Sequence, residues 1–368
     1  MNDSEYMKMA LQLAEKGCGR TAPNPMAGAV IVKDGKIIGC GWHEKYGGSH
    51  AERNALASCS ESPEHAEMYI TLEPCSHYGK QPPCVSAIIE AGISRVIVGC
   101  SDPNPLVNGT GIRILREHGI SVTEHILESE CIRLNEVFFH YISTGLPFVI
   151  MKYAMTMDGK IAAHTGLSKW ITGETARKYV ALQRHRYTAV MTGVGTVLCD
   201  NPMLNSRIEN GKNPVRIICD THLRTPLTAK VVCTAQEIPT ILATCCKDSK
   251  RRSYYENQGC KILFCDEKEG RVDLIDLMKK LGQMKIDSIL MEGGGCLNWS
   301  ALQSGIVQKV QAYIAPKLFG GETAKTAVTG TGVDSPDKAF HLQNSRLISL
   351  GEDFMIESEV TQNVYGDH

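Results

Sequence analysis

The chain has 368 residues, 43% hydrophobic and 21% charged, with a formal net charge of −1 and a sequence pI near 6.9. That length suits two domains, and the balanced charge argues against a protein built to grip a nucleic-acid backbone, since the one short basic run, Lys250-Arg251-Arg252, reads as a solvated loop. Fifteen cysteines without a repeating framework, an N-terminus lacking a basic leader, and no apolar run near the ~18 residues of a membrane span point to free thiols in a reducing cytoplasm.

Ser4 is a candidate cap for a helix whose apolar positions Met7, Ala10, Leu11 and Ala14 keep the helical period up to Gly17. Asp34-Gly35 between the apolar runs 29–33 and 36–40 predicts a hairpin, because both residues tolerate positive φ. A helix is expected over 50–59, then a strand over 68–71, a helix over 84–91 and a strand over 95–100. Asp102-Pro-Asn-Pro105 forms a turn cluster. A helix near 111–118, a short strand near 121–123 and one long helix over 128–142 complete this half. Strands alternating with helices after one hairpin imply a mixed α/β sheet covered on both faces.

Three of these elements carry chemistry. His50, at the start of its helix, Cys75 in Glu73-Pro74-Cys75 and Cys84 in Pro82-Pro83-Cys84 are an imidazole and two thiols. Three protein ligands on a zinc ion leave its fourth position for water, the mark of a catalytic rather than a closed structural site. Glu52, left over from the ligand count, is placed as the general acid/base of a zinc deaminase. The cysteines depart from the usual Pro-Cys-x-x-Cys spacing, so the eight residues between them become part of the pocket. Cys84 at a helix start is favoured as thiolate.

Thr71-Leu-Glu-Pro-Cys-Ser-His-Tyr-Gly-Lys80 with Pro-Pro-Cys84, Asn24-Pro25 and Asp102-Pro-Asn-Pro-Leu106 resemble the deaminase half of the bifunctional riboflavin-biosynthesis deaminase/reductases. The resemblance extends over essentially the whole chain. It implies a cytidine-deaminase-like N-terminal domain with zinc on His50, Cys75 and Cys84 and Glu52 as proton shuttle. The substrate implied is a diaminopyrimidinone carrying a ribose phosphate, held by Asn24, His43, His77, Lys80, Asp102 and Asn104. His65 is expected at the surface.

Ser143-Thr-Gly-Leu-Pro147 breaks the chain, and the boundary is placed there: 1–145 as a zinc-dependent deaminase domain, 146–368 as an NADPH-dependent reductase domain. A buried strand over 148–154 comes next, and Thr172 is a candidate cap for a helix running to about Arg184. Strands are expected over 189–192, 215–220, 240–244, 261–265, 288–291 and 310–315, an amphipathic helix over 272–281, and two closing strands over 340–349 and 352–360. Gly193-Val-Gly-Thr196 and Glu292-Gly-Gly-Gly295 follow strands, where small residues let a backbone approach a phosphate. Arg184 and Arg207 are candidates to clamp a phosphate bidentately.

Lys152-x-Ala154, Asp158-Gly-Lys-Ile161, Ser168-Lys-Trp-Ile-Thr172, Asp200-Asn-Pro-x-Leu204 with Arg207, and Ala315-Pro-Lys-Leu318 are similar to the reductase half of the same family. That half implies a dihydrofolate-reductase-like α/β domain that uses NADPH to reduce the ribosyl group to a ribityl chain. The implied cofactor contacts are Ala154, Trp170, Thr196, Asp200, Thr221, Gly293, Gly294 and Gly295. The implied sugar-phosphate contacts are Lys152, Ser168, Arg184, Leu204, Arg207 and Glu292. The expectation is an enzyme, a hydrolase acting on a cyclic amidine and an oxidoreductase, with one zinc and NADPH. It acts on a small molecule, without nucleic acid or membrane, as a homo-oligomer (dimer or tetramer). The competing readings are a nucleic-acid base deaminase with a targeting domain, a deaminase whose second half is kept for assembly or ligand sensing, and a closed zinc module, which lacks a fourth ligand with natural spacing, His77 being the only nearby candidate.

Overall fold

The computed structural model describes residues 1–78, 82–104 and 109–361. The chain divides into two compact units, Met1–Gly145 and Leu146–His368.

The first unit runs α1 (Asp3–Glu15), β1 (Gly28–Lys33), β2 (Lys36–Trp42), α2 (Ala51–Ala57), β3 (Glu67–Leu72), α3 (Cys84–Glu90), β4 (Arg95–Cys100), α4 (Thr110–Glu117), β5 (Ser121–Thr123), α5 (Glu128–Leu134) and α6 (Glu136–Thr144). Its sheet has the order β2-β1-β3-β4-β5. β1 is antiparallel to both neighbours, while β3, β4 and β5 are mutually parallel. Alternation along the strands sends Ala29, Ile31, Met68, Ile70, Val96 and Val98 into one core and Val30, Val32, Tyr69 and Ile97 into another on the opposite face, as the period of two requires.

Four expectations for this unit and the next need correction. α1 is capped by Asn2, not Ser4: the Asn2 side chain accepts from Glu5 N at 3.0 Å and Glu5 returns a bond to Asn2 N at 2.8 Å, a reciprocal box that a serine inside the helix could not form. The long helix over 128–142 is two helices, broken at Asn135. The buried Asn135 amide instead holds both main-chain groups of Met26, each bond 2.8 Å. The helix after Thr172 has Gly173 as its cap residue. Lys250-Arg251-Arg252 belongs to a helix rather than a loop, because Asp248 accepts from Arg251 N and starts one.

What brings the metal-ligand elements together is close packing of α2 on the hairpin. A Cβ on Gly41 would stand 2.2 Å from Ala55 N and 2.5 Å from Ala51 O, so only glycine lets the helix lie that near. α2 and α3 then start beside the carboxyl end of β3, where open α/β sheets bind ligands.

The second unit runs β6 (Phe148–Thr156), α7 (Glu174–Arg186), β7 (Ala189–Gly193), α8 (Val194–Asp200), β8 (Val215–Cys219), α9 (Lys230–Cys233), β9 (Thr240–Thr244), α10 (Ser249–Glu256), β10 (Lys261–Phe264), the short pair β11 (Glu267–Lys268) and β12 (Arg271–Val272), α11 (Leu274–Gln283), β13 (Ser288–Met291), α12 (Gly295–Gln303), β14 (Lys309–Ala315), β15 (Leu342–Leu350) and β16 (Asp353–Val360). The order of its main sheet is β10-β9-β8-β7-β13-β6-β14-β16-β15. Pairing is parallel except where β16 joins β14 and β15. β7 and β13 are neighbours, so the glycine turns that end them open α8 and α12 on the same edge of the sheet.

Candidate active sites

His50 is the cap residue of α2, and Cys84 is the first residue of α3, so both ligands stand at helix starts. Nδ1 of His50 lies 3.5 Å from Cys75 Sγ and 3.4 Å from Cys84 Sγ. The ligand atoms of the three side chains all fall within 4.8 Å of one another, the one such cluster among the described residues. Cys84 N donates to Cys75 Sγ at 3.4 Å. The hydrogen bond from the Cys84 thiol, then that from His50, holds Cys75 down at about 4, while the same shared proton drives Cys84 up. One nitrogen and two soft sulfurs of which one is already a thiolate fit zinc, with one coordination position left over.

Glu52, two residues after His50 in the first turn of α2, is 5% exposed. Burial first, then the neighbouring Cys75, raises its carboxyl above the ordinary value, and it meets the Cys84 thiol. A carboxylate whose proton is held more tightly than usual, beside the metal position, is suited to carrying protons. These groups face a cavity of about 250 Å³ also lined by Asn24, His43, His77, Asp102, Asn104, Glu73 and Phe138. His43 is buried, and its Nδ1 donates to Ser49 O at 3.0 Å. That bond leaves Nε2 as the acceptor toward Asn24 Nδ2 at 3.4 Å. Burial lowers the His43 pKa, so the ring is neutral at neutral pH. Burial raises Asp102 to about 6, and its Oδ1 accepts from Asn104 N at 2.8 Å. Five of the six expected substrate residues thus line one cavity with Glu52 and the metal cluster. Lys80 lies outside the described residues, and His65 is exposed at the surface.

In the second unit, Ser168, Trp170, Arg184, Thr196, Asp200, Leu204, Arg207 and Glu292 line one hollow of about 470 Å³. Glu292 follows β13 and is only 11% exposed. Arg184 donates to both its oxygens, Nε to Oε1 at 2.5 Å and Nη2 to Oε2 at 2.9 Å, and Lys152 Nζ stands 3.6 Å from Oε2. Burial alone would raise Glu292, but Arg184 and then Lys152 outweigh it and hold the carboxyl at about 2. The Arg184 fork is therefore occupied within the protein, and its Nη1 donates to Asn205 O. Arg207 makes no ion pair among the described residues and is exposed along the hollow. Ser168 Oγ donates to Asp200 Oδ1 at 3.2 Å.

The glycine turn after Glu292 is not uniform. A Cβ on Gly294 would meet nothing within 4 Å, whereas one on Gly295 would stand 2.5 Å from Thr329 Cγ2. Gly295 therefore serves packing, and Gly294 leaves the uncapped start of α12 open. An open helix start of this kind fits the phosphates of a dinucleotide. Lys152, Gly293, Gly294, Gly295, Ala154 and Thr221 do not line the hollow: Lys152 reaches it only through Glu292, Ala154 is half-buried on β6 opposite Tyr313, and Thr221 O accepts from Thr244 Oγ1 and Cys245 N. Phe138 and Glu73 are pocket residues for which the sequence suggested no role. Glu73 was signalled by its place in Glu73-Pro74-Cys75, whereas Phe138 carried no signal.

Comparison with known proteins gives a family for each half of the chain. Residues 1–100 match the cytidine and deoxycytidylate deaminase zinc-binding region, and residues 147–356 match the RibD C-terminal domain. The riboflavin biosynthesis protein RibD of Actinobacillus pleuropneumoniae is 53% identical over 97% of this chain and 95% of its own. Acinetobacter baumannii RibD superposes with a TM-score of 0.87 at 36% identity, covering 98% of this chain and 99% of that one. A diaminohydroxyphosphoribosylaminopyrimidine deaminase/5-amino-6-(5-phosphoribosylamino)uracil reductase from Thermotoga maritima does so at 0.86 and 38%, covering 97% and 98%. With a cytidine-deaminase-like fold in its first unit and a dihydrofolate-reductase-like fold in its second, the chain belongs to the RibD family of bifunctional riboflavin-biosynthesis enzymes.

Proposed function

We propose that residues 1–145 remove an amino group by hydrolysis from diaminohydroxyphosphoribosylaminopyrimidine, and that residues 146–368 reduce the ribosyl group of the resulting 5-amino-6-(5-phosphoribosylamino)uracil with NADPH. The observation that carries the first step is the His50, Cys75 and Cys84 cluster with buried Glu52 at its side. Zinc held by those three ligands would supply the acidity that brings a water toward ionisation near neutral pH. Glu52 takes the proton of the attacking water and hands it to the departing amino nitrogen, which leaves as ammonia. Neutral His43, its tautomer fixed by Ser49 O, and the amide of Asn24 read one edge of the ring. Asp102 and Asn104 read the other, with His77 at the rim and Lys80 assigned to the phosphate.

In the second step NADPH supplies the hydride. The main chain of Gly293, Gly294 and Gly295 at the start of α12 receives its phosphates, Trp170, Thr196 and Asp200 flank it within the hollow, and Ala154 and Thr221 meet it beyond the hollow. Ser168, Leu204 and Arg207 hold the sugar phosphate. Glu292 is ionised at neutral pH and so acts as a hydrogen-bond acceptor for sugar hydroxyls, oriented by Arg184 and Lys152. The work of this unit is to bring hydride donor and sugar carbon together. The reading includes homo-oligomeric assembly, as dimer or tetramer, and a cytoplasmic location. No helix among the described residues is long and apolar enough to cross a membrane.

The test is to incubate purified protein with the phosphorylated diaminopyrimidine, with and without NADPH, and identify the products by mass. Deaminated product alone without NADPH, and the ribityl product with it, are expected. Ammonia release without any NADPH oxidation on the deaminated compound would refute the second half.

A further inference from the structure

A second buried carboxylate faces the first cavity, and the mechanism above does not use it. Glu73 is 3% exposed, and both its oxygens are spent on main-chain N–H groups. Oε1 accepts from Gly111 N at 3.0 Å and Ile112 N at 3.4 Å, and Oε2 from Gly109 N at 2.9 Å and Asp102 N at 3.3 Å. Gly109, Gly111 and Ile112 form the start of α4. The cap residue of that helix is Gly109, which has no side chain with which to satisfy the free N–H groups. A helix start leaves these donors unpaired and carries positive potential, so a carboxylate there is favoured on both counts.

Close packing holds the arrangement in place. A Cβ on Gly111 would stand 2.2 Å from Pro74 O and 3.3 Å from Glu73 Oε1. Glu73 and Pro74 directly precede Cys75, so α4 rests on the segment that delivers a metal ligand. The fourth bond, from Asp102 N, extends the tie to the wall formed by Asp102 and Asn104.

We infer that Glu73 is a positioning residue, a cap supplied from another segment that fixes α4 and the Asp102–Asn104 wall against the chain leading to Cys75, and so sets substrate affinity in the deamination step. The inference rests on the assignment of Asp102 and Asn104 to the substrate. Saturated by four N–H groups, the Glu73 carboxylate has no free lone pair aimed at a reacting atom, which separates its part from that of Glu52.

Glu73→Gln tests it, because the amide keeps one acceptor oxygen and sets an NH₂ against the helix start. KM for the diaminopyrimidine is expected to rise about tenfold, the equivalent of one charge-assisted hydrogen bond. Turnover, zinc content and NADPH-dependent reduction should change little. Gly111→Ala, which leaves Glu73 in place but lifts the helix off Pro74, should give the same KM signature, and Glu73→Asp, which keeps the charge, should recover part of the loss. Amide hydrogen exchange at Gly111 and Ile112 should quicken in Glu73→Gln whether or not substrate turns over. Unchanged exchange, an unchanged KM, or a fall in turnover accompanied by zinc loss would overturn the inference. A wild-type protein that does not deaminate would sink the functional reading instead, and the exchange measurement would still decide the cap.

Discussion

Glu292→Gln tests the electrostatics of the reductase hollow directly. The carboxylate compensates Arg184, whose side chain is 10% exposed, and Lys152, 14% exposed. Neutralising it leaves two buried cations without their counter-charge, and removing one member of a buried pair costs about 3–5 kcal/mol. The proton linkage gives a second figure. Burial opposes ionisation, yet Arg184 and Lys152 bring the group from its ordinary 4.5 to about 2. A displacement of that size corresponds to about 3 kcal/mol, which agrees with the first figure. Because the folded value lies below the unfolded one, this stabilisation is complete above pH 4.5 and is lost as pH falls toward 2. Of the three tryptophans, Trp170 and Trp299 lie in the second unit and Trp42 in the first. In a Trp42→Phe background, fluorescence-detected denaturant unfolding therefore reports on the second unit alone. At pH 7 the Glu292→Gln variant should be less stable by about 3 kcal/mol, with the gap to the parent narrowing progressively below pH 4.5. A difference under about 1 kcal/mol, or one that does not move with pH, would refute the argument.

Glu52→Gln should retain zinc by elemental analysis and lose deamination by roughly 10²–10⁴-fold, the usual contribution of a proton carrier, while reduction of supplied aminouracil continues. Arg207→Met should raise KM for the phosphorylated aminouracil about 10–100-fold, the worth of hydrogen bonds to a charged group, with the unfolding midpoint unmoved because Arg207 is exposed and makes no ion pair among the described residues. Gly294→Ala should raise KM for NADPH with little change in stability, since its methyl meets no protein atom within 4 Å. Gly295→Ala, whose methyl would lie 2.5 Å from Thr329 Cγ2, should instead lower the unfolding midpoint.

The sequence makes the metal ligands legible because their chemistry is local: an imidazole at a helix start, two Pro-Cys segments and a leftover glutamate two residues from the histidine. Strand positions were equally readable, since apolar runs bounded by Gly and Pro do not depend on distant partners. The Arg184–Glu292 pair was not, because it joins residues separated by 108 positions. Composition alone left Arg184 free for a phosphate, whereas its fork is already engaged. The break at Asn135 was hidden for the same reason, since the helical period of 128–142 continues through it and only the main chain of Met26 gives the asparagine something better to bind. Which glycine of the 293–295 turn packs and which stays open likewise depends on Thr329, far along the chain.

The grip of Asn135 on Met26 has a practical corollary for dissecting this enzyme. Met26 stands two residues from Asn24, and Phe138, a turn beyond Asn135, closes the same cavity. The region matched to the zinc-binding family ends at residue 100. A fragment cut there would keep His50, Glu52, Cys75 and Cys84 yet lose Asp102, Asn104, Phe138 and the clasp on its own N-terminal loop. Metal capture and turnover therefore have different minimum lengths, and the shortest autonomous deaminase must extend through the last helix before the boundary.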